Sequence, residues 1–180
     1  MNEAEAKRPV SDAEAMRPVS GAAGKRSASG AASSWVRAGV ILRSSAGIAA
    51  IERIRGGLVY FTLPGGRVEP GETAEEAAQR EAYEELGVVV KLVGLVATVQ
   101  FRENTQLYYL AEPVSGEFGT GAGEEMDSPA DSPAGTYRAV WVPPGQPELK
   151  PAPIAAALSA GPDLDQLLAT WLTQPPAFTE

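Results

Sequence analysis

Glu81, Glu84 and Glu85 stand at i, i+3 and i+4, and on a helix turning about 100° per residue they share one stripe beside an apolar stripe of Ala74, Ala78, Ala82 and Leu86. The carboxylates therefore sit at the edge of a buried face. Magnesium prefers oxygen ligands in near-octahedral geometry and binds through a few carboxylates plus waters and substrate phosphates, and an uncoordinated carboxylate can take a proton from water. The preceding Leu63-Pro64-Gly65-Gly66-Arg67-Val68-Glu69-Pro70-Gly71-Glu72 supplies glycines that let backbone come close to a metal or a phosphate. Arg80 lies four residues from both Glu76 and Glu84, where it can hold side chains in place. The glutamate stripe alone has a plainer reading. Exposed like charges at helical spacing cost only about a few tenths of a kcal/mol per pair, so many surface helices carry them.

The elements that must position these residues are legible in outline. Thr73 followed by Glu76 is a capping-box start, and Gly87 after Leu86 is a natural C-terminal cap, so the helix is bounded at both ends. Apolar, β-branched runs at 35–42, 48–54 and 58–63 predict three strands separated by tight turns, and 88–93, 96–101, 106–110 and 137–142 predict four more. Residues 102–105 read as a turn, 112–136 as a long loop, and 154–159 with 164–172 as one or two short helices. Strands mixed with a central and a terminal helix imply an α/β or α+β layering, with helices packed on a sheet. Residues 1–34 are rich in Ala, Ser and Gly, carry a nine-residue echo, and hold too little apolar surface to offset their ordering entropy, which predicts a disordered tail. The folded domain is expected over 35–172, with a short C-terminal tail at 173–180.

A fixed frame separates the glutamate stripe from an ordinary solvated helix: Gly66, five residues, Glu72, seven residues, Arg80-Glu81, Ala82, any residue, Glu84-Glu85, any residue, Gly87, then apolar Val88. Seven specified positions at ordinary residue frequencies match by chance on the order of once in a hundred million starts. This frame resembles the signature box of the Nudix hydrolase family, complete across 66–88, with small Ala82 at an aliphatic position. The resemblance implies an α/β/α sandwich around a mixed β-sheet and Mg2+-dependent hydrolysis of a phosphoanhydride bond in a nucleoside diphosphate linked to another group. Mn2+ is an alternative metal. It further implies that Glu81, Glu84 and Glu85 are catalytic metal ligands with the Gly66 carbonyl, and that Glu72 and Arg80 brace the loop against the helix that Gly87 ends. Family members recruit loop glutamates as base or extra ligand, which draws notice to Glu124 and Glu125 after the Gly119-Thr120-Gly121-Ala122-Gly123 run; flexible acidic surface is the competing reading. A non-catalytic nucleotide or nucleotide-sugar sensor on the same fold would be expected to lose box glutamates, and an isopentenyl-diphosphate isomerase needs a cysteine this chain lacks.

Subfamily marks beyond the box are missing. The proline of many ADP-ribose pyrophosphatases is replaced by Glu103, and the tyrosine of dinucleoside polyphosphate hydrolases by Thr105. Arg53 and Arg55 alternate on one strand and are candidates to meet a distal phosphate, while Phe61, Phe101 and Tyr137 are candidates to stack on a base; an exposed strand and a core role are the respective alternatives. The 180 residues, 44% hydrophobic and 21% charged, suit one globular domain with tails. Without cysteine or histidine there is no thiolate nucleophile, thiolate zinc site or imidazole base, so catalysis must rest on carboxylates, hydroxyls, amines or a hard metal. A formal net charge of −8 argues against stable nucleic-acid binding but not against a small phosphorylated substrate, since a bridging cation reverses the local sign. No apolar run suits a membrane span or a secretory signal, so a cytoplasmic location is the default expectation, and a homodimer is compatible with the composition.

Overall fold

The computed structural model describes residues 34–123, 135–161 and 163–180. All but the last residue of the expected 1–34 tail, and both Glu124 and Glu125, lie outside the described residues. In chain order the elements are β1 (Val36–Ser44), β2 (Gly47–Arg55), β3 (Leu58–Thr62), β4 (Gly65–Arg67), α1 (Ala74–Leu86), β5 (Val88–Phe101), β6 (Asn104–Gly116), β7 (Thr136–Val142), β8 (Leu149–Lys150), α2 (Ala152–Ala160), α3 (Leu164–Thr173) and β9 (Ala177–Thr179).

One mixed sheet runs in the order β8-β3-β2-β1-β6-β5-β9, with β4 added to β1 and β7 to β2. β1 holds its two halves together unevenly. It pairs in parallel with β6 from Val36 to Leu42 but meets β2 only at Arg43↔Ile48 and Ser44↔Gly47. Beyond that corner β1 and β2 part, and a cleft opens between them. One face of the sheet packs Ala38, Val40, Leu42 and Tyr109 against Ala77, Ala78, Ala82 and Leu86 of α1. The other packs Ile41, Tyr108 and Leu110 against Ile154 and Leu158 of α2 and Leu168 and Trp171 of α3. The α/β/α sandwich with a mixed sheet is thus the fold.

Three details depart from the expected elements. The two strands expected at 88–93 and 96–101 are one, β5, whose register shifts at Val89/Val90, Leu92/Gly94 and Leu95/Ala97 let the chain bend around Gly94 without leaving the sheet. The loop expected from residue 112 starts later, because β6 continues through Pro113 at one of those irregular points and reaches Gly116. The 173–180 stretch returns to the sheet: β9 pairs in parallel with β5, and Phe178 meets Trp171 edge-on at 6.0 Å between ring centroids.

Candidate active site

The site begins with how α1 is held. Thr73 Oγ1 accepts from the Glu76 N–H at 3.2 Å while Glu76 accepts from the Thr73 N–H at 2.8 Å, which completes the expected capping box. At the other end Gly87 adopts a left-handed conformation and donates its N–H to the Tyr83 carbonyl at 2.9 Å. Alanines at 77, 78 and 82 let the helix axis come close to β1, and the carboxylates of the neighbouring stripe are drawn to the cleft edge.

β4, paired with β1 through Gly65 to Arg67, lays the glycine loop against that stripe. A Cβ at Gly66 would lie 2.0 Å from a Glu81 carboxylate oxygen, so only glycine lets the Glu81 head group rest on the loop backbone. The Gly65 N–H donates to Glu85 at 2.7 Å. Arg80 uses all five of its N–H groups: a fork to both oxygens of Glu72 at 3.2 and 2.8 Å, single bonds to Glu81 at 2.8 Å and Glu84 at 2.9 Å, and one to the Arg67 carbonyl at 3.2 Å. The geometry joins Glu72 and Arg80 as a brace between loop and helix. Arg80 holds the Glu72 carboxyl below its ordinary value, whereas burial pushes the Glu81 carboxyl up against the opposing pull of Arg80.

The cleft in front of the helix holds about 420 Å³ and is lined by Glu81 and Glu85, by Gly65 and Gly66, and by Arg53 across from them. Glu84 stands apart from this lining, its side chain 43% exposed against 14% for Glu81, with Arg80 as its partner. Arg53 lies with its guanidinium carbon 4.2 Å from the Tyr137 ring centroid and 5.6 Å from that of Tyr60, and it donates to the Tyr137 hydroxyl. Its Nε is buried with no hydrogen-bond partner among the described residues.

Not every candidate arrives there. Arg55 sits exposed at the hairpin end, paired with Leu58 beside the Gly56-Gly57 turn, and does not line the cleft, because the hairpin carries it past Arg53 into solvent. Phe61 is partly buried against the core on the α2 side and likewise does not line it, whereas Phe101 and Tyr137 do. Trp35, Arg37, Gln106, Tyr108 and Lys150 also line it, and none was singled out from the sequence. Of these, Arg37 leaves a sequence signal, standing at alternating spacing between Trp35 and Gly39.

The glycine-rich run after β6 is a cap for α1. Gly119 donates to the Leu86 carbonyl and Gly123 to the Glu84 carbonyl, each at 2.9 Å, and a Cβ on Gly121 would lie 2.4 Å from the Glu85 carbonyl.

As the side chains are placed, no three acidic groups among the described residues converge closely enough to hold a metal ion. The donor set nevertheless fits a hard cation in its chemistry: carboxylates of Glu81 and Glu85 in the cleft, Glu84 one turn away, and a loop backbone approached through Gly66. Arg80 now occupies the positive position between Glu81 and Glu84.

A family profile described as "NUDIX domain" matches residues 34–159. An 8-oxo-dGTP diphosphatase of Haemophilus influenzae is 35% identical over 88 residues, 46% of this chain and 65% of that protein. An RNA pyrophosphohydrolase of Erythrobacter litoralis is 39% identical over 66 residues, 36% of this chain and 40% of that protein. The chain spans about half of the length of the curated relatives it matches. The crystal structure of a NUDIX hydrolase from Nitrosomonas europaea superposes with a TM-score of 0.56 at 19% identity, over 82% of this chain and 78% of that one, a likeness in fold.

Proposed function

The chain belongs to the Nudix hydrolase family, and we propose that it hydrolyses a phosphoanhydride bond in a nucleoside diphosphate linked to another group, by attack of water at phosphorus. One observation carries this reading. Glu81 and Glu85 of the box helix open onto the same cleft as the cations Arg37, Arg53 and Lys150, so one ligand can meet both acid and base partners.

The family is divalent-metal dependent, and Mg2+, or Mn2+ in its place, suits Glu81, Glu84, Glu85 and the Gly66 carbonyl as ligands. When bound, such a cation neutralises charge on phosphoryl oxygens and lowers the pKa of water. The chain's own residues supply the rest. Arg53, fixed between two tyrosine rings at the cleft wall, is placed to bring its guanidinium charge to a phosphate oxygen. Lys150 and Arg37 add positive charge along the same wall. A carboxylate lining the cleft, Glu81 or Glu85, receives the proton of the attacking water. Glu124 and Glu125, outside the described residues, follow directly on Gly123, whose N–H is tied to Glu84, and are the second choice of base. Arg80 and Glu72 position the loop and do not touch the reacting atoms.

The substrate is proposed as a small phosphorylated nucleotide. No helix among the described residues is long and apolar enough to cross a membrane. Phosphate and pyrophosphate release from dNTPs, ADP-ribose, nucleotide sugars, NADH and dinucleoside polyphosphates tests the reading. At least one should be cleaved with magnesium and spared with EDTA; undiminished cleavage in EDTA would falsify the mechanism.

A further inference from the structure

We propose that Gln106 reads the base: its side-chain amide donates to a carbonyl oxygen on the edge of a nucleobase seated against Trp35 and Phe101, which selects keto-bearing over amino-bearing bases. The inference deepens the reading of the cleft as a nucleotide site and rests on it.

Gln106 is the one buried polar or charged residue among the described residues, 9% exposed, and it lines the cleft. A buried amide is costly unless its groups are matched. Its Oε1 is matched, accepting from the Tyr108 hydroxyl at 2.8 Å, while its Nε2 makes no hydrogen bond among the described residues. The direction of that bond is set from one residue further away. The Arg37 guanidinium, which has donors only, acts on the same phenol oxygen and so favours the hydroxyl giving its own proton to Gln106. Burial pushes the Tyr108 phenol up to about 12, which keeps that proton in place. The amide is thereby locked with oxygen inward and both N–H bonds available to the cleft.

The sheet sets what surrounds it. Arg37 and Gln106 are partners in the β1–β6 pairing, and Phe101 partners Asn104 in the β5–β6 pairing. Trp35 donates its backbone N–H to the Asn104 side chain at 3.0 Å, so Trp35 and Phe101 flank β6 on either side, roughly 10 Å apart at the backbone. Both rings line the cleft beside Gln106. A flat heteroaromatic ring with an apolar face and a polar edge matches two half-buried aromatic walls and one donor. Hypoxanthine, guanine and uracil present a carbonyl oxygen at such an edge; adenine and cytosine present an amino group that would meet the Gln106 N–H bonds donor to donor.

The test is binding of IMP and AMP, which differ at that edge, to the full chain with magnesium by titration calorimetry. Wild type should bind IMP about tenfold or more tightly than AMP. Gln106→Glu turns the donor into an acceptor and should abolish or invert the ratio. Tyr108→Phe releases the amide to rotate and should bring the ratio toward one, and it carries the test alone if a charge at 106 prevents folding. Equal binding by wild type, no binding of either nucleotide, or an unchanged ratio in the folded variants would overturn the proposal. The substrate panel named above, with ITP added and run in parallel, separates the two readings: an IMP preference without turnover of any member removes the hydrolase, while turnover with equal IMP and AMP binding removes only the role of Gln106.

Discussion

Glu84→Gln and Glu85→Gln remove a charge while keeping side-chain size and helix propensity, so they separate catalysis from folding. Arg80 keeps Glu72 and Glu81 when Glu84 is neutral, and the Gly65 N–H can still donate to an amide oxygen at position 85. Turnover should fall about 100-fold or more in each variant, with the melting temperature of the metal-free protein unchanged or slightly raised. Steady-state hydrolysis and calorimetry decide it, and wild-type turnover in both at saturating magnesium would rule these carboxylates out as ligands. The spacing of the box made these residues legible, because i, i+3 and i+4 on a capped helix leave one geometry. It could not show that Glu84 is turned away to Arg80 while Glu81 and Glu85 face the cleft, since that division depends on where β4 lies. Nor could it place Gln106 beside Arg37, since the two become neighbours only through the parallel pairing of β1 with β6.

The elements themselves were read well where local chemistry decides them. The Thr73 cap, the α1 span and the first three strands follow from capping residues, apolar periodicity and turn glycines. Long-range pairing decided the rest: β9 is a strand because β5 offers it an edge, and Gly119 to Gly123 fold back because α1 has carbonyls to satisfy. That docking gives a prediction at this scale. Gly121→Ala places a methyl 2.4 Å from the Glu85 carbonyl, where backbone must shift, and should cost about 1–3 kcal/mol and lower turnover as the end of α1 moves. Gly145→Ala, whose nearest neighbour would be the Ser159 hydroxyl at 3.4 Å, should stay within about 0.5 kcal/mol. Equal melting temperatures for the two variants would show that the loop does not bear on the helix.

For the molecule as a whole, the sandwich puts one open end of the sheet to use: the corner at Arg43 and Ser44 joins β1 to β2, and the cleft occupies the space where they part. Charge is distributed over this frame in a way that no single contact reveals. The last turn of α1 has no basic residue, and its carbonyls are satisfied by neutral glycine amides. The negative pole of the helix, up to roughly half an elementary charge, is therefore offset only by neutral amide dipoles and not by a cation of the last turn, inside a chain of formal net charge −8. A divalent cation held by these glutamates, as proposed, would feel a field that belongs to the peptide units as well as to the carboxylates. Raising salt from about 0.01 to 1 M shortens the screening length from roughly 30 to 3 Å, so magnesium should bind progressively more weakly, and part of that dependence should survive in Glu84→Gln. Calorimetric titrations at several salt concentrations would measure it; an affinity indifferent to salt would mean that contact ligands alone recruit the ion.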